Sequence, residues 1–176
     1  MNVIGIDPGT TGAVAFITER GAAVYDLPVR EIRGNGFMVR RIDGRALAKL
    51  IRSECPAGEP FAAFCESVHA RATGKDDKGN SMGSQGALMR SFGAIEAVCD
   101  CLGSSAELIP PQTWQAFYGL VGKKTELRGR GQLPAATRKA LELYPGVAAD
   151  LQRVGDHNRA ESLLIAHYGA RKVLGQ

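Results

Sequence analysis

The sequence predicts an α/β fold, a mixed five-stranded sheet with helices packed on both faces. Two observations predict it. The first 27 residues read as three strands, and the remainder alternates helix, strand, helix, strand before ending in helices. A hairpin start followed by βαβ units requires both antiparallel and parallel pairing, with the helices laid on the sheet. A third observation sets the scale. At 176 residues, 44% hydrophobic and 23% charged, the chain is expected to form one domain over residues 1–176 with a real core.

Val3-Ile4-Gly5-Ile6 is an apolar run that stops at Asp7-Pro8-Gly9, a turn signal. Ala13 to Ile17 and Ala22 to Leu27 are strand formers flanking Glu19-Arg20-Gly21, a hairpin connection. Pro28 to Arg41 carries Arg30, Arg33, Arg40 and Arg41 and reads as an exposed excursion. Asp43 then looks like an N-cap, with Ala46, Leu47, Leu50 and Ile51 following at helical spacing. Phe61 to Cys65 has the length of a buried central strand and ends at Glu66. Arg71 to Ser84, charged and glycine-containing, is expected to be mobile. Leu88, Phe92, Ile95, Val98 and Leu102 mark a helix from Gln85 to Leu102. Ala106 to Ile109 is a short strand closed by Pro110-Pro111, and Thr113-Trp114 starts a short helix or turn. Gly119 to Leu133 reads as a second basic loop, and Pro134 to Tyr144 as a helix with proline in its first turn. The last helix is expected from about Asn158 to Val173.

The net charge of +4 is unevenly spread. Ten basic and five acidic residues lie from Lys123 onward, leaving twelve and thirteen in the first 122. A basic segment suggests a polyanionic partner, while a solvated helix surface explains the charge equally well. The N-terminus lacks a basic region followed by an apolar one, so no signal or transit peptide is expected and a cytoplasmic location is, in a bacterial or phage-infected cell. No apolar run approaches the roughly 20 residues that cross a bilayer. Cys55, Cys65, Cys99 and Cys101 contain no C-x-x-C pair, which argues against zinc, and Cys65 and Cys99 read as small core residues.

Three acidic positions stand out by place. Asp7 and Glu66 each close an apolar strand, and Asp156 with Glu161 sits at the start of the final helix. If both strands share a sheet, Asp7 and Glu66 lie side by side at neighbouring strand ends. Clustered carboxylates repel, and a divalent cation relieves that repulsion. Mg²⁺ favours oxygen ligands, and two such ions roughly 4 Å apart activate water and stabilise the leaving oxygen in phosphodiester hydrolysis. Each position also has a plain structural reading. Asp7 before Pro-Gly favours a turn, Asp156 is a possible N-cap, and Asn158 with Glu161 matches a capping box.

The combination is more specific. Gly5-Ile6-Asp7-Pro8-Gly9, Cys65-Glu66-Ser67 and Asp156-His157-Asn158-Arg159-Ala160-Glu161, with the Leu-rich helix after it, together resemble the RuvC family. These are Holliday junction resolvases of the RNase H-like superfamily, and the likeness is to the compact phage and organellar branches. The resemblance runs along nearly the whole chain and includes Pro110-Pro111-Gln112-Thr113-Trp114. It implies an RNase H-like fold, a homodimer, and hydrolysis with two Mg²⁺ per site, Mn²⁺ substituting, that cuts a four-way junction by paired symmetric nicks. The implied ligands are Asp7, Glu66 and Glu161. The remaining position departs from the family pattern: Asp156 is favoured by its charge, with His157 second and Asn158 also in range. His157 and Glu161 stand i, i+4 and share a helix face if the helix starts there.

The helix from Gln85 to Leu102 resembles the family's dimerisation element, with ordinary core packing as the alternative. Arg71, Lys75 and Lys78 in the first loop, and Lys123, Lys124, Arg128 and Arg130 in the second, are the candidate DNA-binding residues. Three other readings compete. GIDPGTTG also looks like the first phosphate loop of sugar kinases and actin-like ATPases, but those need two such domains and a second Gly-rich loop. Gly122-Lys123-Lys124 lacks the earlier glycine of a P-loop, so no nucleotide cofactor is expected. A non-catalytic module of the same fold has no need for clustered acids, and a related nuclease acting on RNA or general branched DNA is the runner-up.

Overall fold

The structure is a computed structural model that describes residues 1–33, 36, 38–68, 82–122 and 133–175. β1 (Asn2–Asp7), β2 (Ala13–Thr18) and β3 (Gly21–Asp26) form an antiparallel meander; β6 (Phe61–Glu66) and β7 (Glu107–Ile109) add in parallel on the other side of β1. The sheet order is therefore β3-β2-β1-β6-β7, the mixed five-stranded sheet the sequence predicts. The β2–β3 hairpin closes tightly, with Thr18 opposite Gly21 and the Thr18 hydroxyl accepting from the Arg20 amide at 3.1 Å.

Side chains alternate across the sheet and build two cores. Ile4, Ile6, Val14, Phe16, Ala63 and Cys65 face α1 (Gly44–Glu54) and α2 (Met82–Cys101). Val3, Ala15, Val24 and Phe64 face the opposite layer of α3 (Pro111–Phe117), α4 (Ala135–Leu143) and α5 (His157–Val173). Helices thus cover both faces. Asp43 caps α1 as expected, its carboxylate accepting from the Ala46 amide at 3.0 Å. Cys55, Cys65 and Cys99 are buried free thiols, and burial holds all three above the ordinary cysteine value. Among the described residues, no helix is long and apolar enough to cross a membrane.

Several boundaries differ from the sequence reading for identifiable reasons. Pro28 to Arg41 is not an irregular excursion: β4 (Val29–Arg33) and β5 (Met38–Ile42) pair as a two-stranded ribbon. Val29 stands opposite Ile42 and Ile32 opposite Val39, so two apolar pairs hold a ribbon whose arginines mask the strand pattern. The Asp43 amide donates to the Pro28 carbonyl at 2.8 Å and closes its base. Met82 to Ser84, read as the end of a mobile loop, form the first turn of α2. Pro134 is the N-cap residue of α4 rather than a helical one. A 3₁₀ segment, Pro145–Asp150, follows α4, and a second, Val154–Asp156, leads into α5 one residue earlier than expected.

α5 lies unusually close to the sheet. A Cβ added to Gly5 would collide with the Ser162 carbonyl and the Ala166 amide, and one added to Gly169 would enter the Phe64 ring. Near the other end of the helix, the Asn158 side-chain amide donates to the Thr11 carbonyl at 2.5 Å. α5 therefore runs opposite to β1, with its first turns over the C-terminal strand ends.

Candidate active site

β1 and β6 pair in parallel from Asn2 opposite Phe61 to Ile6 opposite Cys65. The next step in this register sets Asp7 beside Glu66, on strands about 4.8 Å apart. Both belong to the alternation set of Val3 and Phe64, so both lie on the α5 face, and both are partly buried. The turn after Asp7 needs its glycines. Gly9 adopts φ 140°, and a Cβ on Gly12 would strike the Asp7 carbonyl. Asp7 is thus held at a strand end by backbone that admits no bulk beside it.

Glu66 has a partner that sequence reasoning missed. The buried Trp114 indole N–H donates to its Oε2 at 2.9 Å. Trp114 is placed by α3, which follows β7 directly, and the Tyr118 hydroxyl at the end of α3 donates to the Leu164 carbonyl of α5 at 3.1 Å. A lone tryptophan after a strand and Pro-Pro is the only sequence trace of this contact. Trp114→Phe keeps most of the ring's packing and removes the N–H, so Glu66 loses its orientation. Removing an outer-shell hydrogen bond of this kind typically costs 10–100-fold in activity or metal affinity. If the carboxylates hold a catalytic metal, a drop of that size in metal-dependent turnover is expected, with the thermal midpoint falling only slightly, both read on one preparation.

The first turn of α5 supplies the remaining candidates. Glu161 is half-buried one residue before Ser162, which sits against Gly5. α5 begins at His157, so His157 and Glu161 do share one helix face, with His157 exposed. Neither proposed cap forms as read. Asn158 lies inside the helix and is bonded to Thr11, so it does not build a capping box with Glu161.

Asp156 stands at the N-cap position of α5 but makes no side-chain bond to that helix; it closes the 3₁₀ turn before it instead. Its carboxylate turns back to Arg153, accepting from the backbone amide at 2.6 Å and from Nε at 3.0 Å, with the second guanidinium nitrogen at 2.9 Å. The side chain is 4% exposed. Burial pushes its carboxyl upward, but the Arg153 bonds outweigh this and hold it below the usual carboxylate value. Arg153 also reaches Asp26, which Arg159 grips through two bonds of 2.6 and 2.9 Å and so holds low as well.

These two lowered carboxyls fix a pH dependence. A folded pKa below the unfolded value of about 3.9 stabilises the fold above that value, and the contribution vanishes as pH falls through the folded pKa. Asp156→Asn is expected to cost about 1–3 kcal/mol at pH 7, the range for bonds to a charged group. Its deficit against the parent protein should shrink below about pH 4. Thermal midpoints measured from pH 7 to pH 3 check this.

Among the described residues, no group of three His, Cys, Asp or Glu side chains stands close enough together to hold a metal ion. The arrangement is a carboxylate pair with Glu161 and His157 on the helix above and Asp156 withdrawn into an ion pair. The donor set itself, carboxylate oxygens at a strand edge, suits a hard divalent cation. The candidate DNA-binding residues Arg71, Lys75, Lys78, Lys123, Lys124, Arg128 and Arg130 all lie outside the described residues.

No sequence-family profile matches the chain, and no curated protein matches it in sequence. Solved structures do. Thermus thermophilus RuvC in complex with a Holliday junction substrate superposes with a TM-score of 0.58 at 14% identity, covering 99% of this chain and 96% of that one. A second Thermus thermophilus RuvC structure gives 0.50 at 16% identity, with 99% and 97% covered. At this identity the likeness concerns the backbone alone, but it is continuous from end to end. The five-stranded mixed sheet with helices on both faces is thus a RuvC-type, RNase H-like fold.

Proposed function

We propose that the chain is a metal-dependent endonuclease that resolves four-way DNA junctions by paired symmetric nicks. The observation that carries this reading is the placement of Asp7 and Glu66 at the ends of neighbouring parallel strands whose register runs to Ile6 opposite Cys65, with Glu161 in the first turns of α5. The RuvC-type fold supports it. Asp7 and Glu66 would hold Mg²⁺ or Mn²⁺, two ions per site, with Glu161 completing the ligand set. For the fourth position we favour His157 over Asp156, because Arg153 engages the Asp156 oxygens. A bound divalent cation supplies charge neutralisation of the scissile phosphate and a more acidic water.

The chain's own residues do the rest. Trp114 fixes the Glu66 carboxylate, the Gly9–Gly12 turn fixes Asp7, and α5 shields the pair on one side. Symmetric cutting needs two centres, hence a homodimer. α2 offers a surface for it, since Met82, Met89 and Gly93 recur at helical spacing on a side that the sheet leaves exposed.

The deciding experiment presents the purified protein with a four-way junction, a Y-fork, linear duplex and an RNA–DNA hybrid in Mg²⁺. Paired nicks at symmetric positions on the junction are expected, with no cleavage in EDTA. Preference for the hybrid would replace this reading with that of an RNA-directed nuclease.

A further inference from the structure

A groove of about 470 Å³ runs between the β4–β5 ribbon and the N-terminal half of α2. Four arginines line it: Arg30, Arg40 and Arg41 from the ribbon and Arg90 from α2. Among the described residues, no acidic side chain lines it and none of these arginines is in an ion pair. Arg30 and Arg41 stand directly opposite one another across the ribbon, a like-charge juxtaposition that costs the ribbon stability. The Arg41 Nε is buried and, among the described residues, has no hydrogen-bond partner. A buried guanidinium donor without an acceptor is unfavourable. Both costs disappear if an anion enters the groove.

The α2 side of the groove is made for close approach. Gly83, Gly86 and Ala87 leave the helix backbone nearly bare there, and Arg90 follows on the same stripe. One residue beyond Ala87, Leu88 packs on the other side of the helix, its Cδ1 lying 3.8 Å from where a Gly9 Cβ would stand, in the turn just after Asp7. Leu88 thus sets this part of α2 against the turn that follows Asp7, while the groove occupies the opposite side of the helix. The groove stripe is also distinct from the Met82, Met89 and Gly93 side of α2.

We infer that this groove binds the phosphate backbone of a double-stranded DNA arm. The inference rests on the nuclease reading for its choice of polyanion. Guanidinium forks match phosphate oxygens, and several spaced along an open groove suit a repeating polyanion better than a single small anion. The adjoining apolar surface of Val39, Ile42 and Ala94 is small, which disfavours a protein partner anchored by large side chains.

The test uses the full-length protein, a labelled linear duplex and a labelled four-way junction, in Ca²⁺ so that binding is read without turnover. Affinity is measured across a salt series for the parent and for Arg30→Gln/Arg90→Gln, both exposed positions whose loss leaves the core intact. Each phosphate contact removed lowers the salt slope by about 1, so a fall of about 2 is expected on both probes. Circular dichroism confirms folding, and Arg30→Lys/Arg90→Lys is expected to restore most of the slope. An unchanged slope in the folded Gln variant overturns the inference, as does failure of the parent to bind duplex at low salt. A change in sedimentation with DNA binding intact also overturns it, by assigning the groove to a protein contact. If the slope falls as expected but the junction is never nicked in Mg²⁺, the groove stands and the junction-resolving reading fails.

Discussion

Gly5→Ala is expected to be among the most destabilising single methyl additions this protein can receive. The added Cβ meets backbone, not a flexible side chain: the Ser162 carbonyl, the Ala166 amide, and the Ala166 Cα at 2.7 Å. No rotamer change can clear them, so α5 must move off β1 as a unit. Overpacking usually costs about 1–3 kcal/mol, and values above about 4 arise where the backbone itself is displaced. The upper end applies here, because α5 contributes Leu163, Leu164, Ile165 and Ala166 to one whole core. Gly169→Ala meets the Phe64 ring, which can tilt, and is expected to cost less. Gly146→Ala has nothing within 4 Å and serves as the control, within about 0.5 kcal/mol of the parent. Urea unfolding of the three variants ranks them. Equal losses at Gly5 and Gly146 would show that α5 does not sit where the structure places it.

This result bears directly on the site. The first glycine of Gly5-Ile6-Asp7-Pro8-Gly9 is the reason α5 can lie low on β1, the strand that ends at Asp7. The motif was visible in the sequence, but its physical cause was not, because it depends on which helix lies against which strand.

The same division runs through the rest of the chain. Local signals located what local chemistry decides: the Asp43 cap, the Glu19-Arg20 hairpin, and the apolar strands that end at Asp7 and Glu66. The β4–β5 ribbon escaped because its hydrophobic content is two cross-strand pairs, Val29–Ile42 and Ile32–Val39, that no single window contains. Trp114 escaped for a similar reason, since its indole meets Glu66 across 48 residues of sequence. Asp156 is a different case. Its charge and position marked it as a ligand or a cap, yet Arg153, three residues back, makes it the acceptor of an ion pair. Composition located positive charge in the last third of the chain. The arginine groove instead draws on the first ninety residues, where balancing acids elsewhere conceal it in the sum.

Asp7→Asn is expected to abolish cleavage while leaving the fold and DNA binding in place. The substitution is nearly isosteric, so the turn held by Gly9 and Gly12 survives, and the thermal midpoint should stay close to that of the parent. What is lost is one negative charge and one strong oxygen donor from a two-carboxylate pair. Glu66 and the α5 residues Glu161 and His157 would be left to hold a divalent cation without it. Transition-state stabilisation by a bound cation is worth several kcal/mol, and each 1.36 kcal/mol is tenfold in rate. A fall of about 10²–10⁴-fold in Mg²⁺-dependent turnover follows. Binding moves the other way, because removing a carboxylate from beside the scissile phosphate relieves repulsion; affinity for a four-way junction in EDTA should hold or rise. These two readouts separate the proposed role from a structural one. A merely destabilised protein loses both activities and melts early, whereas a displaced catalytic centre leaves Asp7→Asn cutting at the parental rate.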